Sequence, residues 1–255
     1  MLLVLDIGNS QTSFGVYERE RLIAHWRAET QLSRTPDEYA SFLFPLLSHQ
    51  GLDPQACKGV AICSVVPPAE KQFKLFCQRY LKQEPFCLSS HIQLGFSMKV
   101  ETPDEVGADR IANTAYAVHH LKLPAIVVDL GTATTFDVIT HQREYQGGII
   151  LPGVKMGAEA LSTKTSLLPL IDVAFPEKVI GKNTVTCIQS GVLFGYCDAI
   201  DGLLDRLQKE VGASCEIALT GGLAALFHPK LRSVSRLLPD LTLEGTAILY
   251  RLNRP

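Results

Sequence analysis

Apolar residues recur along this chain in two alternating rhythms. Leu2 to Leu5, Thr12 to Tyr17 and Leu22 to Trp26 are short runs separated by turn residues, and they predict three strands in an antiparallel meander. From Pro36 the period changes. Tyr39, Phe42, Leu43, Leu46 and Leu47 fall at i, i+3, i+4, i+7 and i+8, which predicts an amphipathic helix ending at Gly51. The same spacing at Phe73, Phe76, Cys77, Tyr80 and Leu81 predicts a second helix. Between them the apolar run Gly59 to Val66, closed by Pro67 and Pro68, reads as a buried strand, and Phe86 to Leu88 as another. Asp104 is placed to cap a helix reaching about Leu121, with Lys122 near its end and Pro124 beyond it.

The second half follows the same plan. Strands are expected at Ala125 to Asp129, Thr134 to Thr140, Tyr145 to Ile150 and Glu216 to Leu219. Helices are expected at Val154 to Ser162, Val185 to Glu210, Leu223 to Phe227 and Glu244 to Leu252. Leu167 to Lys182 carries Pro169 and Pro176 and no sustained period, so it reads as a long loop of the functional kind. Val4-Leu5-Asp6-Ile7-Gly8 aligns with Val127-Val128-Asp129-Leu130-Gly131, an offset of 123 residues, and Thr12 then falls on Thr135. That offset is nearly half the chain. It implies two α/β domains related by duplication, residues 1–121 and 122–255, with facing Asp-x-Gly turns.

Composition removes several classes of function. With 46% hydrophobic and 20% charged residues among 255, the chain is globular rather than disordered. A formal charge of -2 leaves no basic field to hold nucleic acid or an anionic membrane, so an anionic ligand must be gripped locally. Five apolar residues, Met1 to Leu5, precede Asp6, far short of a signal peptide or of the roughly 20 residues of a membrane span. The seven cysteines form no Cys-x-x-Cys and sit mostly in apolar runs, as reduced core thiols of a cytoplasmic protein do. No metal-ligand spacing links them to the histidines, so no zinc site is assigned.

The candidate chemistry lies in the repeated turns. Each places a carboxylate at the end of a buried strand, then glycine, then hydroxyl or amide side chains. Glycine lets backbone N–H groups approach an anion, Asn9, Ser10, Thr12 and Thr132 offer donors, and the aspartates can hold a cation or its waters. A third tight turn is Thr220-Gly221-Gly222. Neither Gly-x-x-x-x-Gly-Lys-Ser/Thr nor Gly-x-Gly-x-x-Gly after a strand occurs, which argues against a P-loop enzyme and a Rossmann dehydrogenase.

Five segments, in order across residues 6 to 222, resemble the motifs of the type III pantothenate kinases, members of the acetate and sugar kinase and actin superfamily. Asp6-Ile7-Gly8-Asn9-Ser10 resembles the first phosphate motif, and Asp129-Leu130-Gly131-Thr132-Ala133-Thr134 the second. Gly107-Ala108-Asp109-Arg110, with Ala112-Asn113, resembles the pantothenate motif. Gly147 to Gly153 resembles the dimer segment, and Leu219-Thr220-Gly221-Gly222 the adenosine-side turn. Ser10 departs from the commoner Thr but keeps a hydroxyl.

The resemblance implies two actin-like, ribonuclease H-like α/β domains with a nucleotide cleft between them, and ATP-dependent phosphorylation of pantothenate to 4'-phosphopantothenate, the first step of coenzyme A biosynthesis. It implies ATP contacts from Asp6, Ile7, Gly8, Asn9, Ser10, Gln11, Thr12 and Ser13, and from Thr132. Gly107, Ala108, Asp109, Arg110 and Thr184 become pantothenate contacts, with Asp109 as the base and Arg110 pairing with the substrate carboxylate. Asp6 would orient Mg²⁺ through water, and Asp129 would help bind K⁺ or NH₄⁺. A homodimer follows as well. Taken without the resemblance, Asp109 is a helix-surface carboxylate, Thr184 a helix cap, Asp6 a turn cap, and Lys155 and Lys164 surface cations. Two rival functions share the scaffold: a kinase or phosphatase for another small molecule, and a nucleotide-binding regulator without catalysis. The Gly107–Arg110 segment speaks against the first, and the presence of Asp6, Asp109 and Asp129 against the second.

Overall fold

The computed structural model describes residues 1–254. They fall into two compact units, the first made of residues 1–120 and the stretch from Asp240 onward, the second of Leu121–Pro239.

In the first unit, β1 (Leu2–Ile7), β2 (Gln11–Glu18) and β3 (Arg21–Glu29) form the expected antiparallel meander. After α1 (Pro36–His49) the chain enters β4 (Gly59–Ser64), parallel to β1, then α2 (Pro67–Phe76) and the two-residue β5 (Phe86–Cys87), parallel to β4. The sheet order is β3-β2-β1-β4-β5. Alternate residues of β1 and β2, namely Leu3, Leu5, Ile7, Phe14 and Val16, bury against Tyr39, Leu43, Phe73 and Phe76 of α1 and α2. Burial on both faces is why Leu2 to Leu5 read as a continuous apolar run. A two-residue strand β6 (Ser97–Met98) precedes α3 (Ala108–His120).

The second unit contains β7 (Ala125–Leu130), β8 (Ala133–Ile139), β9 (Glu144–Pro152), α4 (Val154–Lys164), α5 (Thr184–Val211), β10 (Glu216–Thr220), α6 (Ala224–Phe227) and β11 (Arg236–Leu237). Its strands run β11-β10-β7-β8-β9, the order of the first sheet repeated. Pairing directions repeat too, with β7 antiparallel to β8 and parallel to β10. The core is Ile126, Val128, Phe136 and Val138 against Leu193, Ile200 and Leu204 of α5 and Phe227 of α6. No regular element lies between α4 and α5, so the stretch expected as a long loop is one.

Three expectations need correction. Asp104 does not start the helix: it lies in a short 3₁₀ turn, Pro103–Glu105, and its carboxylate is taken by the Ser90 hydroxyl and lies 3.3 Å from His91 Nε2. Helix α3 starts at Ala108 instead, with Ile111 N donating to Gly107 O at 3.1 Å. The repeat also slips by one residue at its turn. Ile7 pairs with Thr12 but Leu130 pairs with Thr134, so the counterpart of Thr12 is Thr134, not Thr135. The matched burial of Thr12 and Thr134, and of Phe14 and Phe136, follows this shorter offset. Finally, α7 (Leu241–Asn253) belongs to the first unit, whereas a division after residue 121 would have put it in the second. Its Leu243 and Ala247 join Leu2, Val4, Tyr17 and Ala61 on the sheet face opposite α1 and α2, and Leu249 joins Ile111, Ala112 and Ala115 of α3.

Candidate active site

In each unit the Asp-x-Gly turn lies at one end of the sheet. In the first unit Asp6, half-buried, occupies the last turn-ward positions of β1, paired with Ser13 across the hairpin and with Cys63 on β4. The turn that follows exposes Asn9, Ser10 and Gln11, while Ile7 and Thr12 are buried. Gly8 N donates to Gln11 O at 3.0 Å, so that amide closes the turn rather than facing a ligand. Thr30, one residue past β3, donates from its hydroxyl to Gly8 O at 2.7 Å and from its amide to Ser10 O at 3.1 Å. Its hydroxyl also lies 2.8 Å from that of Thr12. Since the Gly8 carbonyl can only accept, the Thr30 proton goes there and Thr12 must be the donor to Thr30. The Thr12 hydroxyl proton is thus committed inside the turn.

The pantothenate-like motif reaches the same end of the sheet. Val65 N donates to Ile7 O at 3.2 Å, carrying the β1–β4 pairing past Ser64. A Cβ at Gly107 would lie 3.4 Å from Val65 Cγ1 and run into the Asp109 carboxylate, which would have to move. Gly107, two residues before Asp109, therefore lies close to Val65, at the carboxyl ends of the parallel strands β1 and β4, where open α/β sheets bind ligands. Asp109 is half-buried in the first turn of α3, and its Oδ1 accepts the Arg110 amide at 2.8 Å. Burial pushes its carboxyl above the ordinary carboxylate range, against the opposing pull of the Arg110 amide and charge. Arg110, also half-buried, follows in the same turn.

In the second unit Asp129 stands where Asp6 stands in the first, opposite Thr135 on β8 and Thr220 on β10. Gly221 follows β10 with φ +96°, a conformation that favours glycine, and an added Cβ would run into the Asp129 carboxylate and lie 2.6 Å from Leu130 N. Thr132 is exposed in the turn. Gly153, which caps α4, comes so near the turn that a Cβ would strike the Thr132 carbonyl and lie 2.9 Å from Gly131 O. Thr184 is exposed at the first position of α5 and does not cap it: the cap is Asn183, whose side chain accepts from Thr186 N at 2.9 Å. Thr184 is thereby relieved of the role of a helix cap.

Among the described residues no three His, Cys, Asp or Glu side chains gather around a metal position. Asp6 and Asp129 are each the sole aspartate of a strand-end turn. A lone carboxylate suits Mg²⁺ that keeps most of its water and is shared with nucleotide phosphates, not an ion caged by protein. Sequence reading missed Thr30, because a threonine after an edge strand carries no signal of its own, and passed over Asn183, although asparagine before a helix is a favoured cap residue.

Comparison with known proteins agrees with this geometry. Over 98% of both chains, the crystal structure of a conserved Baf family protein from Campylobacter jejuni superposes with a TM-score of 0.62 at 19% identity. The activator of 2-hydroxyisocaproyl-CoA dehydratase from Clostridium difficile, solved with bound ADPNP, gives 0.53 at 11% identity over 97% of this chain and 92% of that one. These likenesses show the fold, a pair of actin-like α/β units. In sequence, the chain is 44% identical over 254 residues, the full length of both, to the type III pantothenate kinase of Roseiflexus sp. (strain RS-1). The family model for type III pantothenate kinases matches residues 2–206. With that coverage and that identity, the chain belongs to the type III pantothenate kinase family.

Proposed function

We propose that Asp109 is the base with which this chain phosphorylates pantothenate, and that the turns after β1 and β7 hold the phosphates of ATP. The activity itself, transfer of a phosphoryl group from ATP to pantothenate as the first step of coenzyme A biosynthesis, comes with the family. The observation that supports the residue assignment is that Gly107, two residues before the half-buried Asp109, lies close to Val65, whose amide donates to Ile7 O of the first Asp-x-Gly segment. The terminal hydroxyl of pantothenate attacks the γ-phosphorus, its proton passes to an Asp109 oxygen, and the bond to the β-γ bridging oxygen breaks to release ADP. A raised pKa makes Asp109 a stronger base than a solvated aspartate. Arg110 pairs with the pantothenate carboxylate, and Gly107, Ala108 and Thr184 complete its contacts.

ATP is held through Asp6, Ile7, Asn9, Ser10, Gln11 and Ser13 and through Thr132, with Gly8 and Thr12 acting from inside their turn. Mg²⁺ at Asp6, through water, and K⁺ or NH₄⁺ at Asp129 supply positive charge to the phosphates. Two subunits associate through the β9 region, where Ile150 is 64% exposed. The cytoplasm suits a chain with seven free thiols. A coupled assay of ADP release by the purified protein tests the reading, with pantothenate present or absent and with Asp109→Asn as the control. Pantothenate-dependent release that Asp109→Asn removes supports it. Release unchanged in that variant refutes the assignment of the base.

A further inference from the structure

We propose that Thr30 is a positioning residue for ATP: by gripping two carbonyls of the first phosphate turn it aims that turn's amides at the phosphates. The inference rests on the reading that residues 6–13 receive those phosphates.

Thr30 holds the turn at two points. Its hydroxyl donates to Gly8 O at 2.7 Å and its amide to Ser10 O at 3.1 Å. The peptides concerned are trans, the cis bond among the described residues being Leu123–Pro124. In a planar trans peptide the carbonyl and the following N–H point in opposite directions. Drawing the Gly8 carbonyl toward Thr30 therefore turns the Asn9 amide away from it, and drawing the Ser10 carbonyl turns the Gln11 amide away as well. Asn9 and Gln11 are exposed. One threonine thus orients two amides of an exposed turn, the arrangement by which turn backbone binds an anion.

The proton inventory makes the grip directional. Thr12, 2% exposed, donates to the Thr30 oxygen, which leaves the Thr30 proton for Gly8 alone. A relay of two hydroxyls, Thr12 to Thr30 to Gly8 O, fixes a rotor that would otherwise spin. The second unit lacks this device. Gly153 sits one residue past β9, where Thr30 sits past β3, and its backbone lies where a side chain would strike the Thr132 carbonyl. The duplicated turns are therefore fixed by different means, and the side-chain grip belongs to the first.

The test separates ATP from pantothenate. Thr30→Val keeps the branched shape and removes the hydroxyl, while Thr30→Ser keeps the hydroxyl. We expect Thr30→Val to weaken binding of a non-hydrolysable ATP analogue about tenfold, the scale of one hydrogen bond to a carbonyl, and to raise the KM for ATP likewise. Pantothenate affinity should stay within about twofold, and Thr30→Ser should bind the analogue within about threefold of the parent. ATP affinity unchanged in Thr30→Val, equal losses for both substrates, or failure of Thr30→Ser to restore binding would each overturn the proposal. If valine prevents folding, Thr30→Cys against Thr30→Ser makes the same comparison, because a thiol is a weak donor. Asp6→Asn distinguishes the two levels of the argument. If it too leaves ATP binding intact, the turn is not the phosphate site; if it alone impairs binding, the turn stands and the role of Thr30 fails.

Discussion

At Asp109 the structure places a carboxylate where burial and chemistry pull in opposite directions. Its folded pKa is raised, so its contribution to stability is fully present below the ordinary aspartate value and is lost as pH climbs through the raised one. At neutral pH the charged form is a cost to the fold. Asp109→Asn should therefore melt no lower than the parent at pH 7 while losing ~10² to 10⁴ in kcat, the span of a general base. Calorimetry and steady-state kinetics on one preparation check both halves. In the parent, kcat/KM should fall on the acid side at a pH above that of a solvated aspartate, and the residual activity of Asp109→Asn should lack that limb. Asp129 carries a separate expectation. Rates should rise with K⁺ or NH₄⁺ over Na⁺, and Asp129→Ala should abolish that preference; a parent indifferent to the cation would remove the role. The acidic turns were legible in the sequence because strand, aspartate and glycine recur at a fixed offset. Thr30 was not, since its meaning comes from a carbonyl 22 residues away in the chain.

Among the elements, α3 depends on α7. Gly245 of α7 lies so close to α3 that an added Cβ would run into the Ala112 carbonyl and sit 2.6 Å from its carbon. Thr242 Oγ1 donates to Asn113 Oδ1 at 2.8 Å across the same contact, with both residues buried. Gly245→Val should cost about 1 to 3 kcal/mol by overpacking. For a chain of this size that lowers Tm by roughly 2 to 4 °C per kcal/mol in a thermal melt. Because α3 carries Asp109, kcat should fall more than the melting shift explains, and an unchanged kcat would uncouple the two helices. Both helices were expected from the sequence, α3 from its cap and terminating residues over Asp104 to about Leu121 and α7 over Glu244 to Leu252. The sequence could not say which sheet α7 covers, because a stripe records that a face is buried and not against what. The false start at Asp104 has a similar cause: a capping residue type was present, but Ser90 and His91 had already claimed its carboxylate.

For the whole molecule, the duplication read from two pentapeptides is present as two sheets with one strand order, displaced by a single residue at the turn. That slip could not be seen without the register, because threonines stand at both 134 and 135. Association is the remaining expectation at this scale. Ile150 projects from β9 at 64% exposure, and Met156 of the neighbouring α4 is 46% exposed. Sedimentation at micromolar concentration should give a species of twice 27.9 kDa, and Ile150→Glu should shift it toward the single chain. A parent that sediments at 27.9 kDa would rule the dimer out.

The return of α7 to the first unit also bears on the order in which the protein can be made. The second unit is one uninterrupted stretch, whereas the first is written in two pieces separated by the whole of Leu121–Pro239. During synthesis the meander, α1 and α2 can collapse early, but α3, packed in part on Cys63 and Leu88, lacks its α7 partner until the whole second unit has been made. The later-encoded unit is then the first able to finish folding, and the helix bearing Asp109 gains its full packing only after α7 has been made. A chain stopped before Asp240 would hold both Asp-x-Gly turns and still present Asp109 on a helix that lacks the packing of Leu249 and Gly245. The role we propose for Asp109 is thereby tied to synthesis of α7.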